Sequence, residues 1–257
     1  MKIIRPYARI TSDSHAHIPL NGMRHIEWCA RISHRSEDAQ SQDSWRRLIQ
    51  SVVLEHGDWS VVEHVSVTVD AVVDRGITHE WVRHRLFSYT QESTRFVNYE
   101  KKMAPSFIYP KPEVECLLCM NGHELRHDYK NPYGVWWHSD VSLRTPEECA
   151  NRNCAYDPRW LNAINEAETS YISLVKNGWR PQEARSVFPN ALASRLVTTG
   201  NLRNWRHFFI MRTTAEAHPQ MRQVTIPLLA EFKSKFPLIF DDIEPTAKQS
   251  ESMKRMR

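Results

Sequence analysis

The sequence predicts a single α+β domain, residues 1–257, in which helices pack around a β-sheet core. Its composition is that of a globular protein, since 41% of the residues are hydrophobic and 25% are charged. A chain of 257 residues also buries most of the surface that it would expose when unfolded. Two periodicities favour a mixed fold: one segment alternates apolar and polar residues as a strand does, and several others repeat apolar residues at helical spacing.

A helix and a strand are predicted in the first third of the chain. In SQDSWRRLIQSVVLEHG the apolar residues recur at helical spacing, with Asp43 or Ser41 as the N-cap and Gly57 as the stop. The next segment, HVSVTVDAVVD, has a period of two and predicts a half-buried strand. Arg75-Gly76 is expected to turn the chain after this strand.

The segment THEWVRHRLF predicts a short helix that begins at Thr78. The triplet Arg83, His84 and Arg85 then lies near its C-terminal end, where helix gives way to loop. RFVNYEKK is a candidate second strand, and the prolines that follow it end regular structure.

The second half of the chain is predicted to be helical. WLNAINEAETSYISLVKNG closes on Asn177-Gly178, and RPQEARSVFP begins with Pro181, which suits a first helical turn. NWRHFFIMRTTAEAH and HPQMRQVTIPLLAEFKSKF complete this part, with a kink expected at Pro227. The tail, residues 245–257, has no apolar face and is expected to fray.

Residues 113–157 are predicted to form an insertion, because they combine four cysteines with histidines and turn-forming residues. The cysteine spacing approximates a structural zinc site, in which thiolates hold the cation and tie down a loop that lacks a core. A set of reduced cysteines with surface histidines is the favoured alternative, and no catalytic metal is expected. The candidate zinc ligands are Cys116, Cys119, Cys149 and Cys154.

Charge and hydropathy exclude several classes of protein. The net charge is +4 at pH 7, so any anion site must come from a local concentration of arginine. No apolar run approaches the roughly 18 to 20 residues that cross a bilayer, and the N-terminal segment becomes polar too early for a signal peptide. We therefore expect a cytoplasmic protein without disulfides that binds neither membrane nor nucleic acid.

A cluster of basic and hydroxyl side chains follows the predicted strand, in the segment RHRLFSYTQESTRF. Arg83, Arg85 and Arg95 are permanently charged forks that suit phosphate and planar anionic edges, and Ser93 can add a neutral donor. Together they predict a nucleotide-phosphate pocket. A solvated basic surface is the alternative, and this cluster alone does not decide between the two.

Four motifs resemble those of the flavin-dependent thymidylate synthases, the alternative thymidylate synthase family. They are RHRLFSYTQESTR, HGDWSVVEH, ARSVFP, and TGNLRNWRHFFIMR followed by EAH. The resemblance covers most of residues 24–240 and implies the fold of thymidylate synthase complementing proteins. It departs at Phe188, where leucine is usual, at Asp58, where histidine is frequent, and in residues 113–157, which have no clear counterpart.

The resemblance implies a methyltransferase activity: a one-carbon unit passes from methylenetetrahydrofolate to C5 of dUMP, giving dTMP, while FAD reduced by NADPH supplies the reducing equivalents. It also implies a homotetramer with active sites between subunits, and a position for His64 facing the folate or nicotinamide. The FAD contacts implied are Ser33, Arg83, His84, Arg85, Gln91, Asn201, Leu202, Arg203 and His207. The dUMP contacts implied are Glu80, Trp81, Val82, Arg83, Gln91, Glu92, Ser93, Thr94, Arg95, Arg185 and Arg212.

The catalytic residue that the resemblance implies is Arg212, which would lie against the uracil ring. Uracil C5 is a poor nucleophile until its ring carries negative charge, and a guanidinium that cannot lose its proton stabilises that charge. Activation by a cysteine thiolate would need a cysteine in an electropositive pocket, and the sequence places none there. Cys29 is predicted to be a small buried hydrophobe on a helix, and Ser93 has a binding role.

His84 is predicted to be neutral, because two flanking arginines disfavour a protonated ring, and a neutral ring suits a donor to a flavin carbonyl. A purely structural hydrogen bond is the alternative, and for His64 the structural and functional roles stay equally open. Arg203, His207 and Arg212 lie close to one helical face and could line a pocket. The aromatic and thioether side chains of the same segment are predicted to be core: Trp205, Phe208, Phe209 and Met211.

Two other functions are weighed against this one. A flavoprotein that oxidises NADPH with another substrate would need the same cofactor contacts. A module that binds single-stranded nucleic acid could use the same arginines with aromatic residues that stack on bases. Such a module predicts a long basic stripe, whereas the charge here is clustered and the total is modest.

Overall fold

The computed structural model describes residues 2–13, 21–101, 103–110, 129–130, 136–137 and 157–246. The strands in this part, in chain order, are β1 (Lys2–Ile4), β2 (Tyr7–Asp13), β3 (Ser66–Asp74), β4 (Ser88–Gln91), β5 (Ser106–Ile108), β6 (Tyr129–Lys130), β7 (Trp136–Trp137) and β8 (Ala193–Asn201). The α-helices are α1 (Asn21–Ile32), α2 (Ser44–Leu48), α3 (Arg75–Trp81), α4 (Pro158–Lys176), α5 (Pro181–Ala184), α6 (Leu202–Arg212) and α7 (Pro219–Lys235). A π-helix over Ile49–Glu55 continues α2, and 3-10 helices cover Glu37–Ala39, Trp59–His64 and Arg185–Val187. The α+β class predicted from the sequence is confirmed.

The chain forms two compact units. The first unit comprises Met1–Pro6, Val72–Thr78 and Glu92–Ser194, and the second comprises Tyr7–Ala71, His79–Gln91 and Arg195–Arg257. Each unit is therefore built from segments that are distant in the sequence. The extent of one domain over residues 1–257 stays a prediction.

The second unit contains most of a four-stranded sheet with the order β2-β3-β8-β4. Strands β4 and β8 are antiparallel, with Ser88 opposite Thr199 and Gln91 opposite Leu196. β8 lies in the half of the chain that was predicted to be helical, so that prediction is wrong for ASRLVTTGN. Its β-branched run, with buried residues at alternate positions from Leu196 to Gly200, was the signal for a strand.

The segment HVSVTVDAVVD forms a strand as predicted, and within β3 the side chains of Val67 and Val69 are fully buried. The alternation fails at Asp70, which is also buried. Its carboxylate accepts hydrogen bonds from Arg195 Nε at 2.7 Å and from Arg9 Nη2 at 3.2 Å. These two guanidinium groups compensate the buried charge, which would otherwise be costly.

Helix α3 begins earlier than predicted. Asp74, the last residue of β3, accepts a hydrogen bond from the Ile77 amide at 2.9 Å, so the helix starts at Arg75 instead of Thr78. The Thr78 hydroxyl donates to the Arg75 carbonyl inside the helix. Because α3 ends at Trp81, the Arg-His-Arg triplet lies in the turn that follows.

Helices α6 and α7 enclose an aromatic core in the second unit. Trp205, Phe208, Phe209 and Phe232 are fully buried, and the ring centroids of Phe209 and Phe232 lie 5.0 Å apart. The prediction that the aromatic residues of NWRHFFIMR are core is confirmed, whereas Met211 is only half-buried. Pro227 lies inside α7 without ending it.

The first unit contains the parallel pair β1 and β5 and the long helix α4. Asp157 caps α4, and Gly178, with a φ of 89°, follows its end as predicted. Phe188 stacks on Tyr171 with ring centroids 4.5 Å apart and packs edge-on to Tyr99. Phe188, which stands where the resembled motif usually has leucine, therefore has two aromatic neighbours.

RFVNYEKK does not form a strand; its described residues form turns between β4 and β5. The helix predicted over SQDSWRRLIQSVVLEHG is present as α2 and its π-helical continuation, and Gly57, with a φ of 81°, follows its end. Asp43 precedes α2 without a side-chain capping bond.

The predicted insertion falls almost entirely outside the described residues, apart from the antiparallel two-residue strands β6 and β7. The four cysteines of the candidate zinc site and the end of the tail after residue 246 also lie outside them. In the described part of the chain, no group of three or more histidine, cysteine, aspartate or glutamate side chains could hold a metal ion. Nor does a helix there have the length and apolar character needed to cross a membrane.

Candidate functional site

The second unit contains a cavity of about 650 Å³ whose wall is rich in arginine and histidine. Two elements supply these groups: the turn after α3 carries Arg83, His84 and Arg85, and α6 carries Arg203, His207 and Arg212. Six of the sequence-predicted residues therefore meet in one place. The lining residues are Trp59, Glu63, Arg83, His84, Arg85, Leu86, Phe87, Arg203, Asn204, Arg206, His207, Ile210, Met211 and Arg212.

The start of α6 is joined closely to the turn that carries the triplet. Asn201 caps α6 by accepting a hydrogen bond from the Asn204 amide at 2.9 Å, and Asn204 Nδ2 donates to the Leu86 carbonyl at 3.0 Å. A Cβ atom on Gly200 would lie 2.3 Å from Phe87 Cδ1, so only glycine permits this approach. These contacts fix the two arginine-bearing elements relative to one another.

Arg212 is held by three hydrogen bonds, one from each nitrogen of its guanidinium group. Nε donates to His84 Nε2 at 2.9 Å, Nη1 donates to the Glu80 carboxylate at 3.0 Å, and Nη2 donates to the Glu80 carbonyl at 3.2 Å. Burial lowers the pKa of Arg212 while Glu80 acts in the opposite direction, and the side chain keeps its charge. The charged guanidinium is thus fixed on the cavity wall, with the Glu80 carboxylate as its ion-pair partner.

His84 is neutral at physiological pH, as predicted, but the two flanking arginines are not among the causes. Burial is the main cause that lowers its pKa to about 4, and the nearby Arg212 and His207 lower it further. Because an arginine can only donate, His84 Nε2 accepts and the ring proton resides on Nδ1. Among the described residues this buried Nδ1 has no hydrogen-bond partner, and an unpaired buried donor is costly.

The turn that carries His84 is fixed from beneath by Tyr89. The Tyr89 hydroxyl lies 2.7 Å from the His84 carbonyl and 3.0 Å from the Trp81 carbonyl, which can share its proton. Burial also raises the pKa of Tyr89, so the hydroxyl stays a donor. Trp81 is fully buried against Phe208, which makes its side chain part of the core instead of a surface for the nucleotide.

Sequence reasoning missed several residues of the cavity wall. Glu63 pairs with Arg203 at 2.6 Å, and Trp59 lies 4.4 Å from the Arg206 guanidinium carbon. Both belong to the 3-10 helix Trp59–His64, inside the motif HGDWSVVEH. The motif could have located this segment near the site, but only the fold shows which of its side chains face the cavity.

Some predicted FAD contacts do not line the cavity within one chain. Ser33 is exposed on the segment after α1 and donates to the Ala30 carbonyl at 2.8 Å, and Gln91 and Asn201 are half-buried outside the lining set. Leu202 is fully buried and its amide donates to the Val65 carbonyl at 3.0 Å, so its side chain packs in the core.

His64 and Cys29 also lie outside the cavity lining. His64 is exposed, and its ring centroid is 6.4 Å from that of His25. Cys29 is only half-buried, with Sγ 3.6 Å from His25 Nε2, so the prediction that it is a small buried hydrophobe is wrong about its burial. Burial nevertheless raises the pKa of the Cys29 thiol, which disfavours the reactive thiolate.

A second cavity, of about 400 Å³, lies in the first unit. Its wall includes Thr94 and Arg185, and Arg185 Nη1 donates to Thr94 Oγ1 at 2.8 Å. Arg75 also lines it and was not predicted. The full lining is Arg75, Thr94, Gln182, Arg185, Ser186, Phe188, Pro189, Asn190 and Leu192.

The remaining predicted nucleotide contacts of the first unit lie in the turns after β4. Glu92 accepts a hydrogen bond from the Tyr99 hydroxyl at 2.8 Å, and Ser93 Oγ accepts from the Arg95 amide at 3.3 Å. Arg95 is exposed, with its guanidinium carbon 5.5 Å from the ring centroid of exposed Phe96. Three predicted contacts precede the triplet: Trp81 is the core residue described above, Val82 is half-buried, and Glu80 binds Arg212.

The fold is shared with a nucleotide methylase of known structure. The UMP/dUMP methylase PolB of Streptomyces cacaoi, solved with bound 5-Br dUMP, matches with a TM-score of 0.65 over 94% of this chain and 96% of that one. The two sequences are 21% identical, so this likeness concerns the fold alone.

The sequence comparison defines the family. Residues 18–238 match the model of the thymidylate synthase complementing protein family. Flavin-dependent thymidylate synthases of Corynebacterium efficiens and Mycolicibacterium gilvum are 31% and 33% identical to the chain over 196 and 198 residues. These alignments cover 75% and 76% of this chain, and 67% and 68% of the respective relatives. The chain belongs to the thymidylate synthase complementing protein family, and these two relatives are flavin-dependent thymidylate synthases.

Proposed function

We propose that this protein converts dUMP to dTMP with methylenetetrahydrofolate as the one-carbon donor and FAD, reduced by NADPH, as the reductant. Membership of a family whose relatives are flavin-dependent thymidylate synthases supports this function. So does the shared fold with a UMP/dUMP methylase. The observation that carries the proposal is the fixed, charged Arg212 beside a neutral His84 in an arginine-rich cavity.

The cavity of the second unit suits a flavin cofactor. Its volume of about 650 Å³ is in the range of cofactor and ligand pockets. The exposed guanidinium groups of Arg83 and Arg85 suit a pyrophosphate, and the unpaired Nδ1–H of His84 suits a carbonyl oxygen of the isoalloxazine ring. Bound FAD supplies the reducing equivalents of the reaction. We propose the same FAD set as the family implies: these residues with Ser33, Gln91, Asn201, Leu202, Arg203 and His207.

Arg212 is proposed to activate the uracil ring. Its three hydrogen bonds hold the guanidinium in place before substrate binds, so little reorganisation is needed to stabilise negative charge on the pyrimidine. A thiolate route finds no support among the described residues, since no cysteine lines either cavity and the one described cysteine has a raised pKa. His64 is proposed to face the folate or nicotinamide.

The dUMP contacts that the family implies are proposed for this protein as well. Thr94 and Arg185, held together by a hydrogen bond, are suited to the phosphate, and Glu92 is oriented by Tyr99. Ser93, Arg95 and the residues around Arg83 complete the proposed dUMP set. A homotetramer with active sites between subunits is part of this proposal, so that one site draws its side chains from several copies.

One assay separates this function from its rivals. The purified protein is expected to be yellow and, with dUMP, methylenetetrahydrofolate and NADPH, to form dTMP. A yellow protein that oxidises NADPH without forming dTMP would favour a flavoprotein with another substrate. A colourless protein that retains single-stranded nucleic acid would favour a binding module instead.

A further inference from the structure

We propose that Arg75 binds the phosphate group of the nucleotide, together with Arg185, in the cavity of the first unit. The proposal rests on the function proposed above and adds to it a residue that the family motifs did not single out. Arg75 begins α3, eight positions before the Arg-His-Arg triplet, and lines the same cavity of about 400 Å³ as Arg185 and Thr94.

The main chain fixes the position of Arg75. Its amide donates to the Asn190 carbonyl at 2.9 Å and to the Leu192 carbonyl at 3.0 Å, and both of these residues line the cavity. The side chain of Arg185 is also held in place, because its Nη1 donates to the hydroxyl of Thr94, a residue that is 4% exposed. A ligand that enters between these groups therefore orders few additional side chains.

The charges of Arg75 and Arg185 are not compensated within the described residues. Neither guanidinium has an ion pair there, and the described lining of the cavity contains no aspartate or glutamate. Other arginines of this protein do have carboxylate partners, as Arg203 has Glu63 and Arg206 has Asp242. Two guanidinium groups without a carboxylate partner, both on the wall of one cavity, suit a phosphate dianion, which accepts several charge-assisted hydrogen bonds.

Neutral polar groups complete the proposed phosphate site. The side chains of Gln182, Ser186 and Asn190 line the cavity and can donate to oxygen. Arg75 also acts on Tyr99: burial is the main cause that raises the pKa of Tyr99, and the Arg75 charge partly opposes it.

The test compares nucleotide and nucleoside binding to the flavin-loaded protein. Arg75→Gln is expected to raise the Kd for dUMP about 10- to 100-fold, because a hydrogen bond to a charged group contributes roughly 1.5–3 kcal/mol. The Kd for 2′-deoxyuridine, which lacks the phosphate, should not change. Arg159→Gln is the matched control, since it removes the same charge from a side chain that is 91% exposed. Isothermal titration measures all of these values.

Arg75→Lys keeps the charge without the planar fork, and its Kd for dUMP should lie between those of the wild type and Arg75→Gln. An unchanged Kd for dUMP in Arg75→Gln, or in Arg75→Lys if the glutamine variant does not fold, would overturn the proposal. Equal losses for dUMP and deoxyuridine would also overturn it, because they indicate a structural role.

The phosphate could instead belong to NADPH, so flavin reduction by NADPH and by NADH is measured in the same variants. A selective loss with NADPH while dUMP binding is unchanged would contradict the assignment. The proposed function can fail separately from the phosphate site. If the wild type forms no dTMP, but Arg75→Gln lowers the affinity for dUMP and not that for deoxyuridine, the phosphate site is supported and the thymidylate synthase activity is contradicted.

Discussion

Arg212 and His84 form the most constrained pair of side chains in the candidate site. Each nitrogen of the guanidinium makes a hydrogen bond, and the ring that accepts one of them is kept neutral by burial and by the arginine itself. The two residues are 128 positions apart in the chain. The fixed cation of Arg212 is suited to an anionic transition state, and the neutral donor of His84 is suited to a flavin carbonyl.

Arg212→Lys is expected to reduce kcat for dTMP formation by roughly 10²- to 10³-fold, the range found for removal of one preorganised electrostatic donor. Lysine offers a point charge and cannot make the three hydrogen bonds of the planar fork. FAD retention, measured from flavin absorbance per chain, should fall much less. Arg180→Lys, at an exposed site paired with Glu183, is the control and should change neither quantity. Equal losses of turnover and of flavin would contradict the role given to Arg212.

The pH dependence of stability should report the neutral ring of His84. Its pKa is about 4 in the folded protein against an ordinary 6.5, so the unfolded chain takes up the proton first as pH falls. The contribution of His84 is complete above about pH 6.5 and is lost as pH falls toward about 4; its size is on the order of 3 kcal/mol. His207, whose pKa is lowered by burial and by Arg212, acts in the same direction.

Urea unfolding of the flavin-free wild type and of His84→Gln across this pH window measures that contribution. The difference between their free energies of unfolding should shrink as the solution becomes more acidic. A difference that stays constant between about pH 6.5 and about pH 4 would show that the ring is not held neutral.

The junction of β8, the triplet turn and α6 positions the arginines of the larger cavity. Gly200, near the end of β8, lies in close contact with Phe87. The ring centroid of Phe87 is also 4.7 Å from that of Trp205 on α6. The helix then starts at its Asn201 cap and presents Arg203, His207 and Arg212 to the cavity. A disturbance at Gly200 should therefore reach the site through Phe87.

Gly200→Ala is expected to destabilise the protein by about 1–3 kcal/mol, because the new Cβ would meet the buried Phe87 ring at 2.3 Å. Flavin affinity should fall with it, since Phe87 lines the cavity. Gly22→Ala, in α1, is the matched control, because its Cβ would make ordinary contacts of 3.4 Å and longer with Val65 and Phe236. Thermal unfolding compares the two variants, and an unaltered Tm in Gly200→Ala would contradict the described packing.

Local patterns located most of the described α-helices but, of the described strands, only β3, and they did not give the ends or the partners of the elements. The strand β3, the helix α4 and the aromatic core of α6 could be predicted from periodicity, because each has one strongly patterned buried face. The start of α3 could not, since it depends on the side chain of Asp74 at the end of the preceding strand. β8 was missed because its short pattern gains its stability from pairing with distant strands.

At the scale of the whole molecule, predicted site residues line two cavities, one within each compact unit. Five of the six arginines that the motifs singled out line a cavity, and Arg95 lines neither; the five are Arg83, Arg85, Arg185, Arg203 and Arg212. The motifs could not identify Arg75, Glu63 or Trp59, whose roles depend on which side of a turn or short helix faces inward. Ser33 and His64 lie outside both cavities of one chain, which agrees with a proposed site completed by other copies.

The proposed assembly can be tested by light scattering on the purified, flavin-loaded protein. A homotetramer should have a mass of four chains of 30.2 kDa each. Mixing two catalytically weak variants, Ser33→Ala and Arg212→Lys, and allowing subunits to exchange should restore part of the turnover if one site uses several copies. A monomeric protein with full activity would contradict the shared site.

A single-turnover experiment without oxygen addresses the proposed reaction itself. Protein carrying reduced FAD is mixed with dUMP and methylenetetrahydrofolate, and both oxidised flavin and dTMP are quantified. We predict one dTMP for each flavin oxidised, with no flavin oxidation when dUMP is left out. Formation of dTMP while the flavin stays reduced, or oxidation of the flavin without dTMP, would contradict the proposed function.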